Sequence, residues 1–355
     1  MRRWRRNSAY GHVPEPRPRC AGLRKGIPPM ASHQSGGFLY LPDDAIEALA
    51  IPPGEIADAI EAALIAKSEG RLHVTPKSAL LPGDGRYMMS TLAVGDEGLT
   101  VLKTVSVSPG NPGRGLPSIN GAILALDAET GLLKAVMGAN WITAHRTAAL
   151  SAVAARRLAD PASASIGFVG CGVQARSHLA ALRAQFPLRQ VLACGRSTAN
   201  RDAFCEEVRA SGLDVRAADA EETLRETDIV VTSITLDYAV EPFLDAAWMK
   251  PTAFAAITDL CIPWRTDSLA RIGTVVIDDL EQERAADRPM VDAGAVAGDL
   301  IDLVTGRIDK LKQPAAFAFR GMALGDHAAA VLAYSRARKT GAGQVVAHAT
   351  MDSGA

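Results

Sequence analysis

Residues Ser165 to Ala175 read Ser-Ile-Gly-Phe-Val-Gly-Cys-Gly-Val-Gln-Ala, a short apolar run, a Gly-x-Gly turn and the start of a helical pattern. Each residue type there answers a need of dinucleotide binding. Gly170 permits a tight bend, Gly172 lets backbone approach a pyrophosphate, and Ala175 stands for the third glycine where helix packs closely on strand. Val173 and Gln174 open that helix, whose free N–H groups and positive dipole end suit phosphates. The next apolar run, Gln190 to Gly195, leads into Arg196-Ser197 about 25 residues after Gly170, where a carboxylate would ordinarily hold a ribose 2′-hydroxyl. No acid stands at that strand end. Guanidinium and hydroxyl both donate to phosphate oxygens, so Arg196 and Ser197 favour NADP(H), with NAD(H) as the alternative. Arg201 reads equally well as a second cation or as a solvated helix residue.

These residues need a scaffold, and the pattern around them supplies one. Apolar strands at Ser165–Val169, Gln190–Gly195, Asp214–Ala217, Ile229–Ser233, Phe254–Ile257 and Thr274–Asp278 alternate with helical segments. That alternation predicts an α/β, doubly wound parallel sheet covered on both faces. Thr232 and Ser233 end the fourth strand, as cofactor-ribose contacts or as ordinary strand terminators. Upstream, residues 38–66 suit two short helices split at Ile51-Pro52-Pro53-Gly54. Segments 87–92, 99–107 and 122–127 read as antiparallel strands cut by Pro- and Gly-rich turns. A helix is expected from about Thr143 to Leu158, ending before Asp160-Pro161. A second spans residues 323–338.

The chain of 355 residues, 48% hydrophobic and 22% charged, can bury a large core and is expected to form two domains. Its net charge of −1 gives no general attraction to nucleic acid. Residues 1–29 carry eight Lys or Arg against Glu15 alone, leaving 30 basic and 38 acidic residues beyond them. We read this Arg- and Pro-rich leader, which stops before the candidate start Met30, as disordered. Five cysteines without C-x-x-C spacing argue for reduced thiols in the cytoplasm. Histidine spacing offers no metal site, and no apolar stretch is long enough for a membrane span.

Several segments together resemble the ornithine cyclodeaminase / mu-crystallin family over nearly everything after Met30. They are Leu102-Lys103, Thr130-Gly131, Ile142-Thr143-Ala144-His145-Arg146-Thr147-Ala148-Ala149, the Gly170 turn, Ile257-Thr258-Asp259, and Arg320-Gly321-Met322-Ala323-Leu324-Gly325-Asp326. The resemblance implies a Rossmann domain plus an α+β substrate and dimerisation domain completed by the C-terminal helix. It places the substrate domain at residues 30–145 with 321–355, the dinucleotide-binding domain at 146–320, and the chain in a homodimer.

By the same resemblance Lys103 is the substrate-side lysine, Arg146 grips the substrate carboxylate, and Asp259 is the catalytic aspartate. Read alone, Asp259 is better taken as a helix cap or turn acid, and Arg146 is a cation near a helix start where the dipole disfavours it. Lys77 occupies the place of a second carboxylate-binding arginine, keeping the charge but losing the planar fork. Ser118 falls where related enzymes place a hydroxyl near substrate. In family members acting on ornithine, a carboxylate holds the distal ammonium, whereas the matching stretch here is Arg86-Tyr87-Met88-Met89-Ser90. A diamino acid would leave that charge unpaired, which disfavours ornithine and lysine.

The implied activity is NAD(P)H-dependent reduction of a small imino acid, cyclic or acyclic, reversible as an amino-acid dehydrogenase. The rivals are a cyclodeaminase releasing ammonia with bound NAD and a non-catalytic, mu-crystallin-like ligand-binding protein. His145 points away from Arg146 and is left outside the site. Cys171 and Cys261 are read as small or inert thiols, and Trp264 as either a pocket wall or loop packing.

Overall fold

The computed structural model describes residues 37–347; the leader assigned to residues 1–29 lies outside them. The first half of the chain builds a mixed sheet. Its elements are β1 (Gly37–Leu41), α1 (Asp43–Glu47), α2 (Pro53–Ser68), β2 (Leu72–Val74), β3 (Ser78–Leu80), β4 (Tyr87–Gly95), β5 (Leu99–Val107), β6 (Ile119–Asp127) and β7 (Leu133–Gly138). Pro53 starts α2 because its missing N–H costs nothing at a helix N-terminus. Residues 38–41, expected to be helical, instead form β1 and pair in parallel with β7. The alternating burial of Leu39 and Leu41 with exposed Tyr40 is the strand signal that the helical reading passed over.

Helix α3 (Asn140–Leu158) follows, starting three residues earlier than expected. Arg146 therefore lies in its second turn, where the dipole penalty has largely faded. Alanines 148, 149, 152, 154 and 155 are buried along α3, and their small side chains let neighbouring elements approach closely. The helix packs against α2 on one side and against strands of the second sheet on the other.

That second sheet is parallel throughout. It comprises β8 (Ser165–Val169), α4 (Val173–Arg183), β9 (Gln190–Cys194), α5 (Thr198–Ala210), β10 (Asp214–Ala217), α6 (Ala220–Glu226), β11 (Ile229–Thr232), β12 (Phe254–Ile257), α7 (Thr266–Leu269), β13 (Thr274–Ile277), α8 (Leu280–Arg284), β14 (Val296–Asp299), α9 (Leu300–Val304) and β15 (Ala315–Ala318). Strand order is β10-β9-β8-β11-β12-β15-β13-β14. Two of these eight strands were not expected. The Ala-Ala-Phe-Ala of β15 has no β-branched residue, yet it lies between β12 and β13 and is buried throughout. The order reverses between β8 and β11, and open α/β sheets bind ligands beyond the strand ends at such a point.

Helix α10 (Ala323–Thr340) then returns to pack on α2, α3, β4 and β5, and β16 (Gln344–Ala347) pairs with β1. The mixed sheet is thereby completed by the C-terminal segment. Among the described residues, no helix is long and apolar enough to cross a membrane.

Candidate active site

At the end of β8, Gly170 has φ +103°, and a Cβ there would stand 2.6 Å from the Ser233 carbonyl oxygen. Only glycine fits both the dihedral and the space. Gly172 caps α4 without a side-chain bond and faces open space, so the first N–H groups of α4 remain free for an anion. Ala175 is fully buried where α4 meets the sheet. Arg176 braces the turn by donating to the carbonyls of Cys171 and Gly172 at 3.1 and 3.2 Å. The turn thus offers a phosphate cradle made almost wholly of backbone. Ser233 closes it from β11, its hydroxyl 3.4 Å from the Gly170 carbonyl.

Beyond β9, Arg196 is exposed and makes no hydrogen bond or ion pair among the described residues. Ser197 caps α5 by accepting from the Asn200 N–H at 3.3 Å, which leaves its hydroxyl proton available. A cavity of about 500 Å3 opens beside them, lined by Gly195, Arg201, Asp219 and Glu222 among others. Arg201 is held by Asp202 at 2.9 Å, so Arg196 is the unengaged cation at this strand end.

The substrate side is built from buried charge. Lys103 on β5 is 1% exposed, and its ammonium donates to Asp326 Oδ1 of α10 at 2.7 Å. Arg146 Nε lies 2.9 Å from the same oxygen as an ion pair, but out of line for a hydrogen bond. Its Nη1 is buried with no hydrogen-bond partner among the described residues. Thr91 donates to the other Asp326 oxygen at 3.0 Å. Burial works to raise the Asp326 pKa, yet Arg146 and Lys103 outweigh it and hold the carboxyl below its usual range. For Lys103, burial and then the Arg146 charge push the pKa down to about 8. Half-buried Lys77 is likewise brought to about 8 by lost hydration and Arg146, and it donates to the Arg320 carbonyl at 2.7 Å. Three cations share a small space, and an unpaired guanidinium nitrogen calls for an anion.

Asp259 follows β12, the strand next to β15, whose continuation carries Arg320, Gly321 and Asp326. Its carboxyl is fully buried and pushed up to about 7, because loss of water outweighs the donors that reach it. Those donors are the Thr232 hydroxyl at 3.0 Å and the Ile234 N–H at 3.1 Å. Trp264 Nε1 donates in turn to Thr232 at 3.3 Å. Leu260 and Cys261 both have φ near +60° directly after Asp259, which marks a constrained turn.

Some expected contacts change meaning in this light. Thr232 is fully buried with its hydroxyl committed to Asp259 and Trp264, so it orients the carboxyl instead of touching a ribose. Trp264 belongs to the same chain of donors and is 1% exposed, which fits packing and not a pocket wall. Ser118 precedes β6, whereas Lys103 pairs with Ile123 far along that strand. Five residues of strand span about 17 Å and reverse the side-chain direction, so Ser118 stands apart from the cluster.

His145 stacks on Trp141 at 4.0 Å and stays outside the cluster. Burial drives the Cys171 thiol up to about 12 and Cys261 well above its usual range, which disfavours the thiolate at both. Asp326, which bridges Lys103, Arg146 and Thr91, and Asp278, which accepts from the Arg320 and Gly321 N–H groups, were not singled out in the sequence. A signal existed for each: Asp326 is the single acid in an Ala-rich helix, and Asp278 ends a β-branched strand. Among the described residues, no group of three His, Cys, Asp or Glu is gathered as a metal site.

A doubly wound sheet with a glycine turn at its switch point, joined to a second half that buries cations, defines a dinucleotide-binding α/β protein. Within that class, residues 44–341 match the ornithine cyclodeaminase/mu-crystallin family, and the chain belongs to it. It is 31% identical over 253 residues to the ketimine reductase mu-crystallin of Mus musculus, covering 70% of this chain and 79% of that protein. It is 28% identical over 323 residues to an alanine dehydrogenase of Archaeoglobus fulgidus, covering 87% and 98%. An archaeal alanine dehydrogenase dimer with bound NAD superposes with a TM-score of 0.78 at 27% identity, covering 87% of this chain and 98% of that one.

Proposed function

We propose that this protein is a reductase of a small imino acid, either a cyclic ketimine such as pyrroline-2-carboxylate or an acyclic imino acid. It runs in reverse as an amino-acid dehydrogenase. The observation that carries this reading is the unpartnered, buried Nη1 of Arg146, which lies against Gly321 with the charges of Lys77 and Lys103 beside it, on the continuation of β15, the strand paired with the one that Asp259 follows. The likeness to a ketimine reductase and to an alanine dehydrogenase supports it. We further infer a homodimer, as in the archaeal relative, with a substrate half of residues 30–145 and 321–355 and a dinucleotide half of 146–320.

A reduced nicotinamide cofactor held at the Gly170 turn would supply a hydride to the imine carbon. Arg146 takes the substrate carboxylate through Nη1, and Lys77 and Lys103 keep the surroundings positive. Asp259, protonated below about pH 7, gives its proton to the nitrogen and is left as a carboxylate held by Thr232 and Ile234. A group whose pKa lies near the working pH can both give and recover that proton. We infer a preference for NADP(H) over NAD(H) from Arg196 and Ser197, two donors in a stretch directly after β9 that carries no acid of its own, while Asp219 and Glu222 line the adjoining cavity from α6 and its cap. A diamino substrate fits poorly: residues 86–90 offer no acid, and the nearby Asp84 is tied to Arg86 at 2.7 Å.

The test is oxidation of NADPH and NADH by purified protein with a panel of imino acids, and with keto acids plus ammonia or methylamine. Loss of reduced-nicotinamide absorbance with at least one is expected, and none with any would end the proposal. Asp259→Asn should lower kcat by about 10²–10⁴ while leaving cofactor affinity unchanged. In the wild type, imine reduction should be full below about pH 7 and fall as Asp259 ionises. KM for the imino acid should rise above about pH 8, as Lys77 and Lys103 lose their charge.

A further inference from the structure

The carboxylate anchor leans on a segment that does not itself touch substrate. Gly321 has φ +94°, and a Cβ there would stand 3.1 Å from Arg146 Nη1 and 3.4 Å from Nη2. The guanidinium is therefore seated against the Gly321 backbone. The peptide unit joining Arg320 to Gly321 is gripped at both ends. Its carbonyl accepts from Lys77 at 2.7 Å, and its N–H donates to Asp278 Oδ2 at 2.9 Å. The Arg320 N–H reaches the same Asp278 oxygen at 3.2 Å, and Gln282 of α8 donates to the Gly321 carbonyl at 3.3 Å.

Asp278 follows β13 and is 1% exposed, an expensive place for a carboxyl whose second oxygen, Oδ1, finds no partner among the described residues. Two backbone donors and the nearby Lys77 charge do not offset that burial, which still leaves the carboxyl raised to about 6. The placement makes sense if the segment they hold must be fixed in space. β13 and β12 flank β15 on either side, so Asp278 and Asp259 border the point where the chain leaves β15 toward Arg320 and Gly321.

We propose that Asp278, with Gln282, is a positioning residue for the substrate carboxylate: it fixes the Arg320–Gly321 peptide against which Lys77 and Arg146 are aligned. The inference rests on the reading that Arg146 grips the substrate carboxylate. It assigns Asp278 an effect on imino-acid affinity and none on dinucleotide affinity, because the Gly170 turn is held by Ser233, Arg176 and Cys194 instead.

The probe is pyrrole-2-carboxylate, a flat carboxylate without a reducible C=N bond, bound to NADPH-saturated protein and followed by calorimetry. Asp278→Ala should weaken its binding at least tenfold. Asp278→Asn, which keeps an acceptor oxygen for both N–H groups, should restore it to within threefold of wild type. NADPH affinity and the melting temperature of the Asn variant should match wild type. Gln282→Ala should weaken the probe about threefold, and it serves if Asp278→Ala does not fold. Arg146→Ala separates the two ideas: if it binds the probe as wild type does, the reading of the anchor itself fails. If Arg146→Ala loses the probe but Asp278→Ala, or failing that Gln282→Ala, does not, only the positioning role is overturned. An Asn variant as weak as the Ala variant overturns it as well.

Discussion

At the phosphate turn nearly every contact is made by backbone. Gly170, Gly172 and the first turn of α4 present N–H groups, while Arg176 donates to the Cys171 and Gly172 carbonyls and braces the turn. On the substrate side the reverse holds: Lys103, Arg146 and Asp326 are all at least nine-tenths buried, and they come from three elements far apart in the chain. Both regions are proposed to take anions, yet they differ in what they ask of the fold. A backbone cradle is neutral when empty and imposes mainly a shape. A buried cation cluster must be balanced by carboxylates before any ligand arrives, so its cost falls on stability.

If that contrast is right, the largest stability change should come from the balancing acid and not from the turn. Asp326→Ala leaves two buried cations unmatched and should cost about 3–5 kcal/mol, read from chemical denaturation. Gly170→Ala forces a residue with a Cβ into φ +103° and against the Ser233 carbonyl, and should cost about 1–3 kcal/mol. Its effect should appear mainly as weaker dinucleotide binding by fluorescence titration. Equal destabilisation by the two would erase the distinction drawn here. Smallest of the three, Arg196→Ala should lower kcat/KM for NADPH about tenfold relative to NADH, the worth of one hydrogen bond to a charged group. An unchanged ratio would move the choice of cofactor away from β9.

The same contrast explains what could be read from the chain. The phosphate turn was legible because its residues are contiguous and each glycine has a local reason. Strands such as Ile229–Thr232 and Thr274–Ile277 were legible from their β-branched runs. The mixed sheet's first strand was not, since five residues beside a helical pattern carry little period. Nor was β15, whose alanines become a strand only because its neighbours need one. In the site, Lys103 and Arg146 were reached through the family resemblance, but their shared partner Asp326 lies 223 residues beyond Lys103. Local sequence carries no information about such a pairing. The partners of Thr232 were hidden for the same reason, because Asp259 and Trp264 are brought to it by the turn after β12.

The Asp326 bridge also bears on the order of folding. Until α10 docks, Lys103 and Arg146 have no counter-ion and must keep their water, so the interior of the mixed sheet cannot dry out around them. Closure of the first-made half of the protein is thereby postponed to one of its last-made helices, and a nascent chain lacking α10 would hold a hydrated, unfinished sheet.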